Sequence, residues 1–257
     1  MKRAVTALTA MLLVTCGGSP STASTPTPSP DPVTGSINVF AAASLTAAFK
    51  EEGTAFQAKH ANASVVFNLA GSASLVTSID NGAPADVFAS ADLPNMQKVV
   101  AAGNAIGQPA NFASNRLQIV VAAGNPKGIK GLADLANAGT VLILCAPAVP
   151  CGNYANQALT KAGVKVTPKS QEQDVNAVIS KVSQGEADAG IVYVTDVKAA
   201  GQKVQGVDIP DDQNVTASYP IATVKGGANS KGGQAFIDFL LSAAGQAVLA
   251  NYGFAKP

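Results

Sequence analysis

INVFAAASLTAAFKEEGTAF, residues 37–56, is the stretch that decides how this chain folds. Its first five residues, all apolar but Asn38, make a run of strand length. From Leu45 the period changes, so that Leu45, Phe49, Glu52 and Phe56 fall on one helical stripe with Glu52 as its only polar member. A strand that passes straight into an amphipathic helix is the opening of an α/β unit. Ser44 sits at the change of period and reads as an N-cap. Its hydroxyl and the neighbouring amides then face the carboxyl edge of the sheet, where open α/β sheets bind ligands.

The same grammar repeats along the chain. ASVVFNLA (63–70) is a strand, followed by Leu75 and Ile79 four apart on a helix; ADVFAS (85–90) is a third, followed by Leu93, Met96, Val99 and Val100. A second series starts at RLQIVVAA (116–123). It continues through TVLILCA (140–146), helices near 152–162 and 175–184, and the strand AGIVYV (189–194). The late strand YPIATVKGG (219–227) and the helix holding Phe236, Phe239 and Leu240 look like a return to the first sheet. The expectation is two α/β lobes, 36–114 with 220–257 and 115–219, with chain crossings near Asn115 and Tyr219 and a cleft where the lobes face each other.

With 257 residues, 47% hydrophobic, the chain has material for two such cores. Its formal charge is +1, and without Lys2 and Arg3 there remain 15 basic against 16 acidic residues. Nothing here favours a polyanion, so nucleic acid is not an expected partner.

Residues 1–15 read as an export signal: Lys2 and Arg3, then a short apolar run too brief to span a bilayer. The run ends in LLVTCGGS (12–19), which resembles a bacterial lipobox and marks Cys16 for lipidation, with Thr15 where Gly or Ala is usual. From Ser19 to Pro32, 12 of 14 residues are Ser, Thr or Pro, which makes residues 16–35 a lipid-anchored tether. An ordinary secretory signal is the alternative, and in either case the protein is exported. Lipidation of Cys16 leaves Cys145 and Cys151, six apart, in an oxidising compartment, where we expect a disulfide; two buried free thiols are the alternative.

Four segment starts share one chemistry: Ser44, Ser72 in NLAGSASLV, Cys151 after the Pro-rich turn of CAPAVPCGNYANQAL, and Val175 behind its expected cap Asp174 in EQDVNAVISKV. Each helix N-terminus presents unsatisfied amides and about half a positive charge, so four aimed at one point suit a dianion without any lysine or arginine. Spacing alone does not say whether they converge. Tyr193 ends the strand AGIVY; read without relatives it is as well explained as a core-edge tyrosine. Asp86 reads as structural at a strand start, and Arg116, the sole arginine after the signal, as half of a lobe-bridging salt bridge.

In order along the chain, VFAAASLT, GAPADVFASAD, VPCGNYANQAL, DVNAVISKV, AGIVYVTD and NYGF resemble the molybdate-binding proteins of bacterial ABC importers, from about Ser36 to Phe254. The resemblance implies the type II periplasmic-binding-protein fold. It also implies a cleft that holds molybdate or tungstate and delivery to a membrane permease by a monomeric, cofactor-free, non-enzymatic protein. By matching positions it implies that Ser44 and Ser72 bind through hydroxyl and backbone N–H, Cys151 and Val175 through backbone N–H, and Tyr193 through its phenol, with no metal beyond the molybdate oxyanion. Family members usually carry alanine where this chain has Cys151, and Gly71 stands where some have serine, an exchange expected to loosen the loop before Ser72.

The rivals are weaker. A serine hydrolase would need a base for Ser44 or Ser72, and the only histidine, His60, lies at the far end of the helix that Ser44 opens. Sulfate or another oxyanion in the same fold, and a surface lipoprotein without a ligand, are the remaining readings.

Overall fold

Residues 33–257, together with Met1 and Ala4, are described by the computed structural model. Apart from Met1 and Ala4, the signal at 1–15, with the lipidation site Cys16 and all but the last three residues of the tether, lies outside the described residues.

The opening stretch forms β1 (Gly35–Ala42), a single 3-10 turn (Ala43–Leu45) and α1 (Thr46–Lys59). All four residues of the stripe, Leu45, Phe49, Glu52 and Phe56, are fully buried. β1 lies parallel between β2 (Ala63–Ala70) and β3 (Val87–Ala89), with α2 (Ser72–Asp80) and α3 (Leu93–Ala101) following those strands. Apolar faces that alternate with helices can be hidden only by packing helix against sheet. The filling is aromatic: the rings of Phe49, Phe56, Phe67, Phe112, Phe236 and Phe239 meet at centroid distances of 5.5–6.2 Å. Such pairs add about 0.5–1.5 kcal/mol each beyond the area they bury.

The strand read as beginning at Arg116 is the second part of a much longer one, β4 (Ala105–Ala122). Up to Arg116 it runs antiparallel to β9 (Thr216–Val224). From Leu117 it pairs instead with β7 (Ala189–Tyr193) on one side and, from Gln118, with β8 (Val204–Asp208) on the other. Gly107, Pro109 and two register shifts break the alternation in its first part, which is why no strand was legible there. β5 (Leu142–Cys145) pairs parallel with β7 and with β6 (Ser170–Glu172). Two parallel-cored sheets are thus joined through one unbroken strand, in the order β2-β1-β3-β9-β4-β7-β5-β6 with β8 on β4. The helices of the second series are α4 (Pro150–Lys161), α5 (Val175–Ser183) and α6 (Val194–Ala200). α7 (Ser230–Leu241) and α8 (Ala243–Asn251) return to the first sheet, α7 against β1 and β9.

Asp86, read as structural, behaves so, whereas the salt bridge of Arg116 does not bridge lobes, because its partner Asp211 falls within the same 115–219 stretch. Asp86 accepts from the N–H of Asn38 (2.7 Å) and of Asn229 (2.6 Å), tying β1 and the entry to α7 to the start of β3. Arg116 forms an ion pair with Asp211 on the connection between β8 and β9; both side chains are exposed.

Candidate functional site

The carboxyl ends of β1 and β7 and the segment starts that follow β1, β2, β5 and β6 surround one small cavity. Its enclosed volume is about 10 Å³, close to the room a single water needs, so the lining already stands tightly around one compact position. Ser44, Ser72, Cys151, Val175 and Tyr193 all line it, alongside Ala42, Ala43, Gly71, Ala91, Val149, Pro150 and Asp174. The sequence brought these segments only to the same kind of position in their units; the fold brings them to one place.

Each arrives there differently. Ser44 is not an N-cap: it is the middle residue of the 3-10 turn, and neither that turn nor α1 has a side-chain cap. The inserted turn moves the helix start beyond its reach, and its Oγ instead lies 3.0 Å from the phenol oxygen of Tyr219. Ser72 is the first residue of α2, with Gly71 in the cap position, and its Oγ accepts from the N–H of Ala91 (3.1 Å). Because a hydroxyl oxygen that accepts still has its own proton, Ser72 keeps a donor.

Cys151 is the second residue of α4 and is joined to Cys145 at the end of β5 by a disulfide, the two Cα atoms 5.8 Å apart. The bridge closes the two-proline turn CAPAVPC into a ring. Gly152 belongs to the same close packing, since a Cβ there would overlap the carbonyl oxygens of Ala146 and Cys145. Val175 opens α5, and its cap is the expected one: Asp174 Oδ1 accepts from the N–H of Ala177 (3.0 Å). Ser72, Cys151 and Val175 occupy first-turn positions, where a helix supplies no acceptor for the backbone N–H.

Tyr193 closes β7. It is 1% exposed, and its hydroxyl has no hydrogen-bond partner among the described residues. Burial, with the neighbouring Tyr219, Tyr154, Asp196 and Asp92 adding, holds the phenol well above its ordinary value of 10, so it stays a neutral donor. Its own backbone N–H is held by Asp196 Oδ2 (2.9 Å). Burial pushes the Asp196 carboxyl up to about 7, the Tyr193 N–H opposing and the Asp174 charge adding.

No lysine, arginine or histidine lines the cavity among the described residues. Gly71 is not loose, as the serine-to-glycine exchange suggested. Its backbone is pressed against Gln173, whose carbonyl oxygen a Cβ would overlap, so glycine serves close approach there. Sequence reading missed the layer behind the donors: Tyr219, Asn115 and Thr195, all buried, which offer no motif.

The family model described as bacterial extracellular solute-binding protein matches residues 37–255. The chain is 43% identical over 253 residues to the molybdate-binding protein ModA of Mycobacterium tuberculosis H37Rv, covering 98% of this chain and 96% of that one. Among solved structures, the periplasmic molybdate-binding protein of Azotobacter vinelandii superposes with a TM-score of 0.73 at 22% identity, covering 86% of this chain and 99% of that one. The sulfate-binding protein SubI of M. tuberculosis H37Rv gives 0.73 at 23%, covering 86% of each. At those identities the two structures establish the fold alone.

Proposed function

The chain belongs to the ModA family of bacterial extracellular solute-binding proteins, and we propose that it captures molybdate, and tungstate with it, between its two lobes for an ABC importer. Its family is one of binding proteins rather than enzymes, and the oxyanion is cargo, not a cofactor. The observation that supports this reading is the donor set: four segment starts and one unpartnered phenol around one small cavity with no cationic side chain in its lining among the described residues.

Such a site selects by protonation. Molybdate, tungstate and sulfate are fully deprotonated at neutral pH and need only donors, whereas hydrogenphosphate also needs an acceptor. The one carboxylate in the lining, Asp174, has Oδ1 engaged with the N–H of Ala177. Ser44, Ser72 and Tyr193 would donate hydroxyls and Ser44, Ser72, Cys151 and Val175 backbone N–H groups, the starts of α2, α4 and α5 each adding about half a positive charge. A buried hydrogen bond to a charged group is worth about 1.5–3 kcal/mol. Several together hold a dianion without a formal cation. Choice between molybdate and sulfate, alike in charge and shape, falls to cavity size.

Donors from residues 36–114 and 115–219 on one ion make closure of the lobes the response to binding. Asn176 Nδ2 lies 3.4 Å from both the Ala43 carbonyl and Thr46 Oγ1, a contact of this kind across the cleft. We further infer that the protein is a monomer tethered through lipid on Cys16 to the outer face of the cell membrane and presents its closed form to the permease. Replacing Cys16 with Ser should release it from the membrane fraction.

Isothermal titration calorimetry tests the ligand. Molybdate and tungstate are expected to titrate at one site per chain, sulfate more weakly, and phosphate not at all. Sulfate binding tighter than molybdate would reassign the cargo, and no heat with any of the four would end the oxyanion reading.

A further inference from the structure

We propose that Tyr219 is a positioning residue that fixes the direction of the Ser44 hydroxyl, at the end of a buried relay running Asn115 → Tyr219 → Ser44 → oxyanion. The inference rests on the oxyanion reading above and adds to it a group that never touches the ligand.

The direction follows from the hydrogen bonds one after another. Asn115 Oδ1 accepts from the N–H of Arg116 (2.9 Å), which can only donate, so the amide oxygen is fixed on that side. Asn115 Nδ2 therefore faces the other way, with one hydrogen to Thr195 Oγ1 (2.8 Å) and one to the phenol oxygen of Tyr219 (3.4 Å). With an N–H directed at its oxygen, Tyr219 has its own proton for the remaining neighbour, Ser44 Oγ at 3.0 Å. Ser44 accepts there and turns its proton away from Tyr219, toward the cavity it lines.

Every member of the relay is buried: Tyr219 is wholly inaccessible and Asn115 is 2% exposed. No bulk water competes for these groups, and burial raises the Tyr219 phenol far above its ordinary value, so it remains an O–H. The elements involved explain how the relay is assembled. Asn115 and Tyr219 sit on the paired strands β4 and β9, two residues from each other's register partners, and Thr195 is in α6. A serine able to rotate freely could donate or accept. Held this way, Ser44 is ready only to donate, which favours an anion with no proton of its own.

A double-mutant cycle read by molybdate calorimetry separates this role from packing. Y219F is expected to weaken molybdate about tenfold in the wild-type background, and by less than about twofold in S44A, where the relay has nothing to act on. Circular dichroism and the melting temperature of each variant report the fold. Should Y219F lose it, N115L, which keeps the phenol but removes the N–H that sets its direction, is measured in the same two backgrounds with the same coupling expected. An equal loss in both backgrounds, or no loss in either, overturns the relay. So does an S44A protein that binds like wild type. None of these outcomes touches the oxyanion reading, which fails only if the wild-type protein gives no heat with molybdate or its analogues.

Discussion

Replacing Tyr193 with Phe removes one oxygen from the cavity wall and should move ligand affinity and intrinsic stability in opposite directions. In the occupied site the phenol is a neutral donor, without a protein partner, facing a dianion away from water. Losing that bond should cost about 1.5–3 kcal/mol, or about ten- to a hundredfold in Kd. The empty protein gains instead. An unpartnered buried hydroxyl costs about 1–3 kcal/mol, less whatever water in the cleft recovers, and Phe has the same ring without it. For a domain of this size each kcal/mol is about 2–4 °C, so the ligand-free Tm should hold or rise by several degrees. Its packing against Tyr219, centroids 5.9 Å apart, is preserved by the substitution. Calorimetry with molybdate and differential scanning calorimetry of the empty protein give the two numbers. Affinity unchanged to within about twofold would refute the donor role. A Tm that falls along with affinity would show that the hydroxyl holds the fold rather than the ligand.

Three further outcomes are expected. Glu52 is fully buried with neither carboxylate oxygen partnered among the described residues, and burial, then Glu51, pushes it from 4.5 up to about 8. The folded state therefore binds its proton more tightly: the stabilisation is complete below pH 4.5 and is lost as the pH rises through 8, by at most about 5 kcal/mol. Urea melts of wild type and E52Q at pH 5 and 9 should show a clearly larger decline in the wild type, Asp196, itself raised to about 7, contributing to both, and equal declines would count against a neutral Glu52. Reduction of the Cys145–Cys151 bridge, or C145A/C151A, should lower stability by about 2 kcal/mol from loop entropy and weaken molybdate, because the ring that presents the Cys151 N–H loosens; a reduced protein with unchanged Kd would separate the bridge from the site. R116A removes a solvent-exposed ion pair with Asp211 and should change stability by less than about 1 kcal/mol. It should leave molybdate affinity unaltered, and a large affinity loss would mean that Arg116 does reach the ligand.

How much of the site was legible depends on the range of the interaction involved. The stripe of Leu45, Phe49, Glu52 and Phe56, the cap by Asp174 and the apolar runs of β1, β5 and β7 are local patterns, and the folded chain follows them. Ser44 shows where local reading stops. Its sequence context fits a cap, yet one extra 3-10 turn hands its hydroxyl to Tyr219, 175 residues away in the chain. The first part of β4 escaped notice because bulges break the two-residue period, and its strand character comes from pairing with β9.

What the sequence determined by itself was the inventory: strand-then-helix units, an abundance of donors at their junctions, one cysteine pair and a scarcity of cations. These follow from period, composition and residue chemistry, which act over a few neighbours. Only the tertiary structure decided that Ser44, Ser72, Cys151, Val175 and Tyr193 share one cavity, that the phenol of Tyr193 lacks a partner there, and that Gly71 must be bare where Gln173 comes against it. Convergence is a property of sheet order and of the long strand joining the sheets, and those are set by contacts between residues far apart in the chain.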